Sequence, residues 1–433
     1  MYRISPTVVA RSPGKQHLAV ARSRNNGCIR LAYSAARDPN RTRARPDMDP
    51  ADLADVIASV REFVRNEVVP LEERIEEQDE IPADLVRQCK TMGLYGFTIP
   101  EQYGGLGLDV TEEVQLVFEL GYTTPALRSL FGTNNGIAGH VLLEGATEEQ
   151  RKTWLPRLAS GEVTASFGLT EADAGSDPAT LTTTARRDGS DWVLNGAKRY
   201  ITNSPVADVI MVFARTNPDA PGSRGISTFL VPSDAAGLSV GPKDSKMGQR
   251  GAWTADVYLD DVRVPADAVV GGEAGIDNGF RIAAKCLAHG RVHIAAMCVG
   301  MADRLVDESV AFAQTRQAGG RPIARFQLVQ GLIADSMTDY RAGRAMVLET
   351  ARDYDAGRDR IAGPAAVKYF CSEMVGRVAD RAVQVHGGAG YMAGVAVERF
   401  YRDARLFRIY EGTSQIQQVI IARSALGDAA RAD

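Results

Sequence analysis

The 433-residue chain is predicted to be an α+β protein whose segments run in the order helices, strands, helices. Three observations predict this. Apolar residues recur at three- and four-residue steps from Asp49 to about Gly161. From about Thr164 the pattern changes to short β-rich runs separated by Gly, Pro and Asp. Helical periodicity returns after Gly279 and holds to the end. Segregation of this kind argues for separate α and β domains rather than βαβ units. The expected division is a basic head at 1–47, a helical domain at 48–163, a β domain at 164–275 and a second helical domain at 276–433.

The elements follow in order. Val56, Val60, Phe63, Val64 and Val68 form the stripe of a first amphipathic helix. Ile81-Pro82 opens another, ended by Gly93, and Thr111–Leu120 is again helical. Thr147 and Gln150 read as a capping box before a short helix. In the β domain, Thr182–Arg186 and Trp192–Leu194 flank the hairpin signal Asp188-Gly189-Ser190, and Asn195-Gly196 reads as a second turn. Val209–Arg215, Ile226–Val231 and Thr254–Leu259 complete a small antiparallel sheet. Ile282, Cys286, Ile294, Met297, Met301 and Leu305 form one helical stripe, and helices continue through Gln327–Asp353 and Ala365–Val383.

Composition narrows the function. With 45% apolar and 24% charged residues, the chain is an ordinary globular protein, not a disordered one. Its longest apolar stretches, such as Val206–Ala214, fall short of the ~20 residues of a membrane helix. A net charge of −4 has the wrong sign for a chain that works on nucleic acid. The charge is uneven: residues 1–47 hold nine Arg and one Lys against two Asp, a net +8, which leaves −12 for the remainder. An Arg- and Ser-rich, acid-poor head resembles a mitochondrial transit peptide. The preferred expectations are a disordered head or translated sequence upstream of a start at Met48. Only eight of the 50 basic residues are Lys, the bias of a GC-rich bacterial genome. A cytoplasmic protein is therefore expected, with the mitochondrial matrix as the alternative. Cys28, Cys89, Cys286, Cys298 and Cys371 are scattered, as in a reducing compartment.

Several catalytic patterns are missing. There is no GxSxG and no HExxH. His289 and His293 stand four apart, the spacing of a metal pair, but with no carboxylate between them they read as ordinary helix-face histidines, and no metal is expected. Gly387-Gly388-Ala389-Gly390 follows a helical run rather than a strand, so it is not a Rossmann fingerprint. Clustered glycines still let a backbone approach a phosphate or another chain.

Four longer motifs stand in register: Gly168-Leu-Thr-Glu-Ala-Asp-Ala-Gly-Ser-Asp177, Gln384-Val-His-Gly-Gly-Ala-Gly-Tyr391, Glu398-Arg-Phe-Tyr-Arg-Asp403 and Tyr410-Glu-Gly-Thr-Ser-Gln-Ile-Gln417. Tyr200-Ile-Thr-Asn203, Met247-Gly-Gln-Arg250, Asp261-Val-Arg-Val-Pro265 and Arg321-Pro-Ile join them. Together, over about residues 49–427, they resemble the acyl-CoA dehydrogenase family of flavoproteins. The resemblance implies a middle domain like an antiparallel β-barrel and a C-terminal four-helix bundle. It implies FAD, an acyl-CoA substrate, an electron-transfer flavoprotein as acceptor and a homo-oligomer, with a tetramer expected. The implied reaction removes the α-proton and the β-hydride of the thioester to give the trans-2-enoyl-CoA. Alternatives are a glutaryl-CoA-type dehydrogenase, a flavin oxidase, monooxygenase or desulfinase, or a non-catalytic helical scaffold.

The resemblance carries over to single residues. Glu411 stands at the family's usual base position, and Gly290 at the position where some members carry the base instead. Phe167, Leu169, Thr170 and Ser176 match the first flavin-binding stretch, and Tyr200, Ile201 and Thr202 the stretch against the flavin ring. Arg316, Gln327, Gln384, Gly387 and Gly388, with Thr413 and Gln415, match positions that hold the ADP half across a subunit interface. Ser176, Arg291 and Gly412 match positions near the CoA substrate. Locally, Thr413 or Ser414 can cap the last helix, and Ser414-x-x-Gln417 reads as a capping box. Gly319 stands where an aromatic residue is expected against the flavin nucleotide, which is expected to loosen FAD; Gly394 replaces a usual acidic or Asn residue. Arg128 matches a residue that pairs with a substrate carboxylate in glutaryl-CoA dehydrogenases, which also resemble this chain at Asn203-Ser-Pro205; a place on a solvated helix surface is preferred for it.

Overall fold

The computed structural model describes residues 48–220 and 222–427, with the backbone of β1 (Ala19–Arg22) and β2 (Ile29–Ala32), which pair antiparallel. The expectation for the rest of the 1–47 head lies outside the described residues.

Helix α1 (Pro50–Phe63) starts on Asp49, whose carboxylate accepts from the Ala51 N–H. It runs into a π turn, so that Val56, Val60, Phe63, Val64 and Val68 are all buried. After α2 (Glu72–Gln78), α3 (Ala83–Thr91) stops before Gly93, whose φ of +74° needs no Cβ. Then come α4 (Val110–Gly121), α5 (Pro125–Gly132), α6 (Gly139–Gly145) and α7 (Glu148–Ser160). The Thr147–Gln150 box forms in both directions, and Asp109 with Glu112 builds a second box at the head of α4.

The strands are β3 (Ala165–Gly168), β4 (Thr184–Asp188), β5 (Asp191–Thr202), β6 (Val209–Arg215), β7 (Ile226–Pro232), β8 (Leu238–Val240) and β9 (Thr254–Val264). They form one sheet in the order β3-β6-β4-β5-β9-β8, with β7 also on β6. The sheet is mixed rather than wholly antiparallel: β3 runs parallel to β6, and β4 meets β6 in parallel at Thr184 and Arg215. Parallel pairing needs a long connection, and the β4–β5 hairpin supplies it between β3 and β6. Asn195-Gly196 is no turn. It is a bulge inside β5, where the register to β9 shifts between Leu194 and Gly196. A Cβ at Gly196 would stand 2.7 Å from the Thr183 Cα, so a close backbone approach, not a reversal, explains the glycine. The unbroken apolar run of β6 has a reason too. Val209, Met211 and Phe213 join a core with α6 and α7, while Ile210, Val212 and Ala214 join a second core inside the sheet.

Helix α8 (Gly279–Thr315) is long and apolar enough to cross a membrane by length and composition, which no single apolar run in the sequence suggested, but 78% of its apolar 18-residue window is buried in the protein. It packs with α9 (Gln327–Asp355) and α10 (Ala362–His386), while α11 (Ala396–Ala404) and α12 (Ser414–Leu426) lie against α10. Between α8 and α9, β10 (Gln317–Ala318) and β11 (Arg321–Pro322) form a hairpin whose two turn residues are Gly319 and Gly320, at φ +58° and +75°. Both turn positions need positive φ, so Gly319 serves the turn. An aromatic residue there would strain the backbone.

The two helical domains touch most closely where α4 crosses α8. A Cβ on Gly300 would lie 2.2 Å from the Phe118 carbonyl oxygen, and one on Gly121 would lie 2.5 Å from that of Met297. Gly300→Ala is expected to cost about 1–3 kcal/mol. In urea denaturation this appears as a lower midpoint at unchanged slope.

Candidate active site

Glu411 sits on the turn that leads into α12, at a left-handed φ of +53°. Several contacts hold it there. The Gln417 amide donates to the carbonyls of Glu411 (3.1 Å) and Gly412 (2.9 Å), and the Lys368 ammonium donates to the Gly412 carbonyl (2.7 Å). Gly412, at φ +90°, has no room for a Cβ against the Gln417 amide. Thr413 caps α12 by accepting from the Ile416 N–H. The expected Ser414–Gln417 box does not form. Ser414 donates to Glu373 instead, and Gln417 is drawn to the Glu411 turn.

The Glu411 side chain is 8% exposed, and its Oε2 has no hydrogen-bond partner. A Cβ at Gly290 on α8 would stand 2.2 Å from this oxygen. Gly290 therefore clears the space that the carboxylate fills. Burial raises the Glu411 pKa, and nearby cations oppose it: Arg128 from α5, Lys368 from α10, and Arg291 and His289 from α8. Burial in turn pushes Lys368 down to about 8. Arg128 does not lie on a solvated surface. Its side chain is 12% exposed, with Nη2 4.0 Å from Glu411 Oε1, and it lines the same cavity.

That cavity holds about 810 Å³, within the range of small-molecule sites. Phe167, Leu169, Thr170, Ser176, Tyr200, Ile201, Thr202, Arg291, Glu411 and Gly412 all line it, so the structure brings together these ten predicted residues. Tyr200 is 61% exposed at φ +58°, and Asn203, at φ +64°, donates to the Ser129 carbonyl and Thr133, tying β5 to α5. The other predicted residues do not line the cavity. Arg316, Gln327, Gln384, Gly387 and Gly388 are exposed at one end of the C-terminal helices, where Phe312 of α8 stacks on His386 of α10. Thr413 and Gln415 sit at the start of α12. Motifs 247–250 and 398–403 meet each other: the Gln249 N–H and amide donate to Asp403.

Other groups near the site were not legible in sequence. Glu113 on α4 is 1% exposed and receives both histidines of α8, His289 Nε2 and His293 Nδ1, each at 2.6 Å. The carboxylate missing between those histidines in sequence comes from another helix. Lys198 is wholly buried and pairs with Glu171 at 2.7 Å. Glu171 also accepts from the N–H groups of Thr182 and Thr183, which closes the loop that carries Thr170 and Ser176.

A buried carboxylate, the hydroxyls of Thr170, Ser176 and Thr202 and the aromatic rings of Phe167 and Tyr200 share the lining of one cavity. Residues 50–162, 166–262 and 277–426 match the N-terminal, middle and C-terminal domains of acyl-CoA dehydrogenases. The chain is 39% identical over 367 residues to a probable acyl-CoA dehydrogenase of Bacillus subtilis, covering 85% of this chain and 96% of that one. It is 36% identical over 366 residues to the 3-(aryl)acrylate reductase of Clostridium sporogenes, covering 84% and 96%. A glutaryl-CoA dehydrogenase from Mycobacterium smegmatis, solved with FADH2, superposes with a TM-score of 0.82 at 30% identity, covering 88% of this chain and 96% of that one. The chain belongs to the acyl-CoA dehydrogenase family. It is an oxidoreductase acting on acyl-CoA, and its cofactor is FAD.

The Glu171–Lys198 pair gives a pH-dependent test. Burial pushes Glu171 up, but Lys198 and the hydrogen bonds bring it down to about 2. A depressed carboxyl stabilises the fold above its ordinary value near 4.5 and loses that contribution as pH falls towards 2. Glu171→Gln strands a buried ammonium and is expected to cost about 3–5 kcal/mol at neutral pH. The gap to the parent protein should narrow in acid, and the variant should retain less FAD, read from its absorbance after gel filtration.

Proposed function

We propose that the protein dehydrogenates an acyl-CoA thioester to the trans-2-enoyl-CoA with Glu411 as the base. The observation that carries this is the carboxylate itself: buried, facing the cavity and free at Oε2. Bound FAD supplies the acceptor for the β-hydride. Glu411 takes the α-proton onto Oε2, the oxygen that has no other partner. Burial strengthens it as a base, while Arg128, Lys368 and Arg291 keep it ionised before the reaction. Leu169, Ile201, Phe280, Leu287, Ile416 and Ile420 line the cavity with apolar surface that excludes water. The Nε–H of Arg291 is buried without a partner and offers a donor to the CoA moiety.

The cavity-lining set from Phe167 to Thr202 would hold the flavin. Arg316, Gln327, Gln384, Gly387 and Gly388, with Thr413 and Gln415, would take the ADP half of a neighbouring protomer's FAD in a tetramer. Exposed Leu328 (87%), Tyr391 (84%) and Met392 (62%) beside them suit an interface. An electron-transfer flavoprotein is the proposed acceptor. The substrate class proposed is a monocarboxylic acyl-CoA. Arg128 reaches the cavity, but the protein's own groups already engage it, His293 at Nε and Glu411 at Nη2.

Glu411→Gln keeps the shape and removes the proton acceptor. It should retain FAD and bind acyl-CoA, yet lose about 10²–10⁴ in the rate of flavin bleaching by butyryl-CoA or its longer homologues. Bleaching at the parent rate would place the base elsewhere.

A further inference from the structure

Arg128 is the cation nearest to the Glu411 carboxylate in a pair of side chains that do not quite touch, at 4.0 Å. A long guanidinium at that distance needs something to hold it. The structure supplies a chain of groups. Arg128 Nε–H donates to His293 Nε2 at 2.7 Å, and His293 Nδ1 meets Glu113 Oε1 at 2.6 Å. Arginine has no acceptor, so His293 Nε2 must be unprotonated, and the ring proton lies on Nδ1, donated to Glu113. His293 is thus a neutral imidazole of fixed tautomer. Gly132 completes the arrangement, since a Cβ there would come within 2.7 Å of Arg128 Nε.

We propose that His293 and Glu113 are positioning residues that hold Arg128 as the standing counter-charge of Glu411. The inference rests on Glu411 being the base. A second histidine shares the anchor. His289 shares Glu113 through Oε2, and although burial disfavours its charge, Glu113 holds its pKa above the ordinary imidazole value. Burial and Arg128 together hold His293 down at about 4. One carboxylate therefore serves two histidines, and of the two only His293 reaches Arg128. Phe97 stacks parallel to the His293 ring, and His140 stacks on His289 at 3.9 Å, so neither ring turns freely.

The groups that face Glu411 come from three helices: Arg128 from α5, Arg291 and His289 from α8, and Lys368 from α10. Lys368 is committed to the Gly412 carbonyl and His289 to Glu113, so each would stay in place if His293 changed. The groups that face His293 are Arg128, Glu113, His289 and His140. Loss of the His293 acceptor thus frees Arg128 selectively. A freed guanidinium swings from Glu411, and the carboxylate becomes a stronger base that titrates at higher pH.

The test uses the FAD-loaded protein and the pH dependence of flavin bleaching by butyryl-CoA. His293→Phe should move the acid limb of the profile up by about one pH unit, a tenfold slower rate below both midpoints, with little change on the alkaline plateau. His293→Gln keeps an acceptor for Arg128 and a donor for Glu113, and it should restore the parent profile. Should the Phe variant not fold, His293→Leu, which also removes the acceptor of Arg128, carries the same expectation. Phenylglyoxal labelling of Arg128, mapped by peptide mass spectrometry, reads the tether without catalysis and should rise several-fold in His293→Phe. A parent profile in His293→Phe, or unchanged Arg128 labelling, overturns the proposal. Failure of every acyl-CoA to bleach the parent flavin would instead overturn the reading of Glu411, and the labelling would still decide the tether.

Discussion

One constraint organises the molecule: a carboxylate is held inside the protein with one oxygen left unpaired. Burial of that kind is expensive unless charge surrounds it and backbone fixes it. The protein meets both needs at once. Gly290 empties the volume that Oε2 occupies, and two successive positive-φ residues, Glu411 and Gly412, form the turn from which the side chain reaches α8. Arg128, Arg291, His289 and Lys368 converge on it from three helices. Arg128, His289 and Lys368 each have an anchor of their own, so the site demands that α4, α5, α8, α10 and the turn before α12 all be in place.

The glycine crossing of α4 and α8 follows from the same demand. Glu113 can reach both histidines of α8 only because Gly121 and Gly300 let the two helices come together without side chains between them. The β domain contributes the opposite wall. Its loop from Thr170 to Ser176 is closed by Glu171, whose partner Lys198 comes from the middle of β5. Backbone N–H groups on one side and an ammonium on the other engage both oxygens of Glu171, which ties this loop down as an edge of the cavity.

Much of this was legible in the chain. The helical stripes, the Thr147 capping box and the apolar run of β6 depend on local spacing, and local spacing is what a sequence displays. Glu411 and the cavity-lining residues were legible through motifs in register. What failed was non-local. Asn195-Gly196 looks like a turn because the approach of Thr183 that makes it a bulge lies across the sheet. His289 and His293 looked like plain helix-face residues because their carboxylate is more than 170 positions away. Arg128 looked solvated because α5 is short and its apolar face alone does not say what covers the other side. The hairpin that places Gly319 at positive φ was likewise not displayed by spacing alone.

The hydrogen bonding of the site bears on its substrate. Arg128 is engaged by Glu411 at Nη2 and by His293 at Nε before any ligand arrives. A substrate with an uncharged acyl end leaves it so. A second carboxylate on the acyl chain would have to draw Arg128 from Glu411 and from His293 Nε2, which would leave a buried acceptor without its donor and the base without its nearest cation. On the proposed reading, the tether does more than orient one side chain. It makes the same arginine unavailable for a charged acyl end, so the histidine that sets the strength of the base also narrows the range of acyl groups the cavity accepts.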